Sequence, residues 1–168
     1  LILMGVFWYL NWTLTGLRTH ILFFPLWLGY CLLVDALVRK RKGNSLISRS
    51  LRRYLGLFLV LILVWWFFEL INMRSGNWQY LGREFFSDLE YFLFASLCFS
   101  TVIPAVFGTA ELAGSFIQHK AFFKGPRIPA GRKGSGIFLV IGMVTLALLL
   151  IWPGYFYPFV WISVYLIL

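Results

Sequence analysis

Three carboxylic acids stand within or at the ends of long apolar runs in this chain: Asp35, Glu69 and Glu111. An ionisable side chain is expensive in an apolar setting, so each needs a partner that holds it or a proton or cation that it handles. Glu69 has the most telling neighbours. Trp65, Glu69 and Asn72 recur at i, i+4 and i+7 and share one face of a helix. The segment beyond them adds Asn77, Trp78, Gln79 and Tyr80. An acid set among indoles is a candidate proton donor to a bound substrate. Asn72 and Trp78 would then orient that substrate, and Trp65, Trp66, Trp78 and Tyr80 would offer flat apolar surfaces to a ligand. The same residues have a structural reading, in which Glu69 accepts hydrogen bonds from a neighbouring helix or from loop amides and ties the elements together. Asp35 stands four residues before Arg39, where an i, i+4 ion pair accounts for it. Glu111 follows Ser100, Pro104 and Gly108. Paired with arginines it is architecture; alone on a cavity it would be a proton or cation ligand.

Other chemistries find little footing. His20 and His119 are expected near opposite faces of a membrane, which excludes a haem held between them, although either could singly ligate a chlorophyll-type magnesium. Cys31 and Cys98 lie in separate apolar runs and form no CxxC or Cys/His pattern, so neither a zinc site nor a disulfide framework is expected, and no metal is. There is no Ser-His-Asp set and no H-E-x-x-H. The glycines of Lys124–Gly136 do not form a phosphate-binding loop. Asn11-Trp12-Thr13 is a formal glycosylation sequon, of a kind that arises often by chance. A small transporter would need charged paths or paired broken helices, for which only Pro104 and Pro153-Gly154 speak.

The elements that must position these residues are membrane spans. The chain has 168 residues, of which 61% are hydrophobic and 12% charged. A soluble domain of this length cannot hide so much apolar surface in one core. A crossing takes about 20 apolar residues. Residues 21–38, 54–73, 89–114 and 137–152 meet or approach that length, with partial spans at 1–10 and 156–168. The expectation is an all-α polytopic transmembrane bundle of about five spans in a single integral membrane domain. The first residue is not Met and the last stretch is apolar, so the chain reads as truncated at both ends.

The net charge of +9 comes from clusters between the apolar runs. Residues 39–53 hold seven basic side chains and no acid, among them Arg39, Lys40, Arg41, Lys42, Arg52 and Arg53, and residues 118–136 hold five. Cytoplasmic loops collect Lys and Arg, which places both clusters in the cytoplasm, as anchors facing anionic lipid rather than nucleic acid. Three alternating spans put the two clusters on the same side, and a bacterial inner membrane is the expected location. Ser87-Asp88-Leu89-Glu90 reads as a capping box that starts the third long span. That span is rich in small residues. Ala105, Thr109 and Ala113 at i, i+4 and i+8, with Gly108, are candidates for close helix packing, and Pro104 should kink the helix. Aromatic residues make up 20% of the chain. Trp12, Trp27, Trp78, Tyr80, Trp152, Tyr155, Tyr157 and Trp161 fit interfacial belts.

The stretch Phe67-Phe-Glu-Leu-Ile-Asn-Met-Arg-Ser-Gly-Asn-Trp-Gln-Tyr80, with Leu26–Tyr30 and Phe159–Ser163, resembles segments of uncharacterised bacterial polytopic membrane proteins, in which a Glu-x-x-Asn…Trp-x-Tyr element recurs in a second half. That resemblance brings no assigned activity. A fainter similarity, carried by Glu69, Asn72 and Trp78, is to membrane carotenoid-modifying enzymes of the lycopene-cyclase kind. The favoured expectation is a non-catalytic subunit of a larger membrane complex, photosynthetic or electron-transporting. It would bind lipid, carotenoid, chlorophyll-type pigment or quinone and pack against other membrane subunits. The alternatives are an isoprenoid- or lipid-modifying enzyme with Glu69 as its acid, and a transporter using Asp35 or Glu111.

Overall fold

The computed structural model describes residues 1–16, 18–117 and 131–168, with backbone alone at 18–20 and 132–133. The side chain of His20, all of His119 and most of the second basic cluster therefore lie outside the described residues. Those described form helices and no strand: α1 (Ile2–Thr13), α2 (Arg18–Lys42), α3 (Leu46–Arg49), α4 (Leu51–Ser75), α5 (Asp88–Phe99), α6 (Val102–Gly114), α7 (Arg132–Ile151), α8 (Pro153–Phe156) and α9 (Phe159–Ile167). Among them, four stretches are long and apolar enough to cross a membrane: Ile21–Lys42, Leu51–Ser75, Asp88–Gly114 and Gly134–Ile151. The partial spans expected at 1–10 and 156–168 correspond to the short terminal helices α1 and α9. With 12 and 9 residues, α1 and α9 reach less than two thirds of the roughly 30 Å hydrocarbon at about 1.5 Å per residue.

Local chemistry sets the helix ends. The apolar run of α2 stops at Arg39–Lys42, cations suited to the negative end of the helix dipole. Gly43 then turns at φ +77 with its N–H on the Arg39 carbonyl (2.8 Å), a left-handed cap that favours glycine. Gly76 ends α4 in the same way, at φ +60 and 2.7 Å from the Asn72 carbonyl. The Ser87 capping box is present in both directions, Ser87 Oγ to Glu90 N–H and Glu90 carboxylate to Ser87 N–H. The third long stretch is broken between α5 and α6. Pro104 has no N–H to offer the Ser100 carbonyl, and its ring crowds that oxygen. Ser100 and Thr101 turn their hydroxyls back onto the Leu97 and Cys98 carbonyls (2.6 and 2.8 Å), which favours a bend at the same place.

The chain divides into two compact units. The first takes in the described residues of Leu1–Trp65 and Leu81–Lys120. In it α2 is the hub, flanked by α1 and α6. At Gly29 a Cβ would sit 2.8 Å from the Met4 amide nitrogen, and at Gly108 one would sit 3.3 Å from Val34. Cys31, Val34, Val38, Tyr54, Leu61 and Ala105 are buried in this unit. The seam of α6 uses Thr101, Pro104, Ala105 and Gly108, all buried. Thr109 lies at its margin, with its hydroxyl 2.7 Å from that of Tyr30, and Ala113 is exposed.

The second unit takes in the described residues of Trp66–Tyr80 and Ala121–Leu168. Trp152 closes α7, Pro153 opens α8 at its first position, and α9 folds back along α7. Leu149, Val160, Ser163 and Val164 are almost wholly buried. Gly142 permits the approach, since a Cβ there would meet Ile167 Cγ1 at 2.9 Å, the Ser163 carbonyl at 3.0 Å and Leu166 Cβ at 3.1 Å. Gly142→Ala is therefore expected to destabilise this hairpin by about 1–2 kcal/mol, the range for forcing a methyl into a packed contact. Thermal unfolding in detergent reads this. An unchanged or raised midpoint would mean that the helices part at no cost.

Candidate functional site at Glu69

Glu69 lies two turns before the C-terminal end of α4, within the second unit. The turn at Gly76 sends residues 77–80 back along the helix. Two donors of that segment converge on one carboxylate oxygen: Trp78 Nε1–H at 3.1 Å and the Tyr80 hydroxyl at 2.6 Å, both on Oε1. Asn72, one turn on along the same face, holds the backbone of the segment. Its Oδ1 accepts from Trp78 N–H (3.1 Å), and its Nδ2 donates to the Trp78 carbonyl (2.9 Å). Asn77 Nδ2 reaches the Tyr157 carbonyl at 3.5 Å, the long limit of such a bond. The indole of Trp78 stacks on that of Trp161 (5.7 Å between centroids, 18° between planes), and Phe68 meets the same indole at 4.7 Å.

Four sequence-selected residues, Glu69, Asn72, Trp78 and Tyr80, thus come together. The arrangement they make is a clasp. A half-buried carboxylate satisfies two donors that would otherwise need water, and an amide side chain closes a backbone loop that has no ladder of its own. Trp66 is half-buried in the same unit. Trp65 belongs to the first unit, where it stacks on Phe99 at 5.0 Å. By sequence Trp161 fits the interfacial aromatics, and in the structure it is the ring that backs Trp78. No pattern local to either tryptophan announces that pairing.

The other two acids are held in the first unit. Asp35, 6% exposed, accepts from Ser45 Oγ at 2.7 Å and from the Ile47 amide at 3.0 Å. The expected Arg39 partner is replaced by the start of α3, which the Gly43 turn returns to α2. Ser45 caps α3, and Ser48 completes the box. Glu111 receives both terminal nitrogens of Arg49, at 2.6 and 2.9 Å. This hydrogen-bonded carboxylate raises the Arg49 guanidinium further above its ordinary range. Arg41 donates to Ser115 Oγ (2.7 Å) and lies over the Phe116 ring at 3.7 Å. Of the remaining anchor residues, Arg39, Lys40, Lys42, Arg52 and Arg53 are all exposed. Among the described residues no group of His, Cys, Asp and Glu has the geometry to hold a metal ion. No family model, curated protein or solved structure matches the chain.

Proposed function

We propose that this chain is a non-catalytic integral membrane subunit that packs within a larger membrane complex, photosynthetic or electron-transporting, and holds lipid, carotenoid, chlorophyll-type pigment or quinone. The observation that carries the reading is the clasp. The two side chains best suited to catalysis, Glu69 and Asn72, are engaged in fixing the 77–80 segment. Asp35 and Glu111 are likewise engaged, which speaks against a transport path through either. The span-length helices keep broad apolar faces open, as at Leu59, Leu63 and Leu70 of α4, for lipid or neighbouring helices to cover. The basic clusters 39–53 and 118–136 face the cytoplasm of a bacterial inner membrane in this reading, by the bias of Lys and Arg toward that side.

The test is isolation from the native membrane in mild detergent, with an absorption spectrum and a mass-spectrometric inventory of the purified particle. A particle containing other membrane subunits in fixed ratio, with pigment or quinone bound, is the expected result. A colourless protein running alone and carrying no isoprenoid would overturn the proposal. A second reading, a membrane enzyme acting on an isoprenoid or lipid with Glu69 as acid, draws on the short Tyr80–Glu69 hydrogen bond, because a phenol in line with a carboxyl can relay a proton.

A further inference from the structure

We propose that the cleft at the junction of α3 and α4 binds the phosphate of an anionic phospholipid, with Arg53 as the cation that selects it. The cleft measures about 260 Å³ and is lined by Leu46, Arg49, Ser50, Arg53, Tyr54 and Leu57. These residues recur at successive turns on either side of the break at Ser50, where the backbone is extended (φ −170, ψ 106). Charge and hydrocarbon are therefore ordered along the chain. Arg49 closes α3, Ser50 stands at the break and Arg53 lies in the first turn of α4, and Leu57 follows one turn further into its apolar stretch. A phosphate with an acyl chain has this same sequence of parts.

The two arginines are not equivalent. Arg49 is matched by Glu111 and also donates to Asn44 at 3.1 Å. Arg53 is exposed and in neither of the two ion pairs found among the described residues, which leaves its guanidinium open to an anionic head group at the cleft. Ser50 Oγ is occupied in accepting the Arg53 N–H at 3.3 Å, which holds the first turn of α4 in place beneath the cleft. Inorganic phosphate would satisfy Arg53 and leave the Leu46 and Leu57 walls uncovered. A lipid covers both, so the lipid is the occupant the cleft fits.

This site rests on the membrane and lipid-holding part of the function proposed above, and not on the chain being a subunit. Protein in mild detergent is titrated with phosphatidylglycerol or with phosphatidylcholine of the same acyl chains, and bound lipid is counted by native mass spectrometry. The expected preference for phosphatidylglycerol is about fivefold, the worth of one basic residue near an anionic head group. Arg53→Gln should remove that preference. Arg52→Gln, adjacent but outside the cleft, should keep it. Leu57→Phe, which fills the cleft and leaves its charge, should lower the phosphatidylglycerol count. An unchanged preference in Arg53→Gln would overturn the site, as would an equal loss in Arg52→Gln, the mark of diffuse surface charge. Displacement of the lipid by inorganic phosphate would overturn it in favour of a free-anion site. Protein that keeps its partners and pigment but shows no preference loses this site alone. Protein without partners that keeps the preference loses the subunit reading alone.

Discussion

Asp35→Ala is expected to destabilise the first unit by about 3 kcal/mol, because each hydrogen bond to an ionised acceptor contributes about 1.5–3 kcal/mol and two donors lose theirs together. Those donors are the hydroxyl of Ser45, which is fully buried, and the amide of Ile47. The Ser45 hydroxyl has no water at hand to replace the carboxylate, and the Ile47 amide is half-buried. Asp35→Asn keeps an oxygen for the Ile47 amide and turns a second donor toward Ser45, whose oxygen can accept it. It should cost about 1 kcal/mol, near the value of an ordinary neutral hydrogen bond. Arg39→Gln should stay within about 0.5 kcal/mol, as exposed substitutions do. Unfolding in detergent gives the order, and trypsin gives the place: cleavage after Lys42 and Arg49 should accelerate in Asp35→Ala as α3 comes loose. An Arg39→Gln loss as large as that of Asp35→Ala would restore the i, i+4 ion pair and refute the cap.

The contrast between Asp35 and Ser87 shows where the sequence was legible. Ser87 and Glu90 are three residues apart, and their reciprocal bonds need nothing from the rest of the chain, so the pattern suffices. The same is true of the long helices, since crossing hydrocarbon demands an apolar length that nothing else in the chain imitates. Their ends were less legible. Helix α2 runs to Lys42, past the last apolar residue at Val38, because cations are stable at a helix C-terminal end even where they could not enter the bilayer. Asp35 offered a local partner in Arg39, and a tertiary partner won. The hint was Gly43-Asn44-Ser45, a left-handed turn followed by a good cap, which can return the chain to the helix it has just left. Of the small residues expected to pack in the third span, Ala105 and Gly108 are buried within the unit, and the helical period accounts for the exposure of Ala113. Steps of four residues drift about 40° each around a helix, so Ala113 stands about 80° from Ala105. Mixed steps of three and four through Thr101, Pro104, Ala105 and Gly108 stay on the partner. Of the candidate site, Glu69, Asn72, Trp78 and Tyr80 were legible because one short turn brings them together. Trp161 was not, since its approach depends on α9 folding back at Pro153.

Glu69→Ala is expected to cost about 2 kcal/mol, since the Trp78 indole N–H and the Tyr80 hydroxyl both lose a charged acceptor in a half-buried place. Glu69→Gln should cost less than about 1 kcal/mol, because its amide oxygen can take the same two donors without the charge. Thermal unfolding in detergent measures both, and the quenching of indole emission by iodide follows the exposure of Trp78. The pair also separates the two functional readings. If Glu69 serves the clasp, the Gln variant retains partners and bound pigment while the Ala variant begins to lose them. If Glu69 is the acid of an isoprenoid- or lipid-modifying enzyme, the Gln variant folds as the native chain does and turns nothing over, because an amide cannot deliver the proton. Asn72→Ala sharpens the point. It removes both hydrogen bonds to the Trp78 backbone and leaves the carboxylate in place, so an enzyme should keep part of its rate and a clasp should open. Combined with Glu69→Ala, its cost should fall short of the sum, because the two side chains hold one loop and a loop already released cannot be released twice. Full additivity would mean that Glu69 and Asn72 act on separate elements, and the clasp would then be the wrong description of how this end of α4 is built.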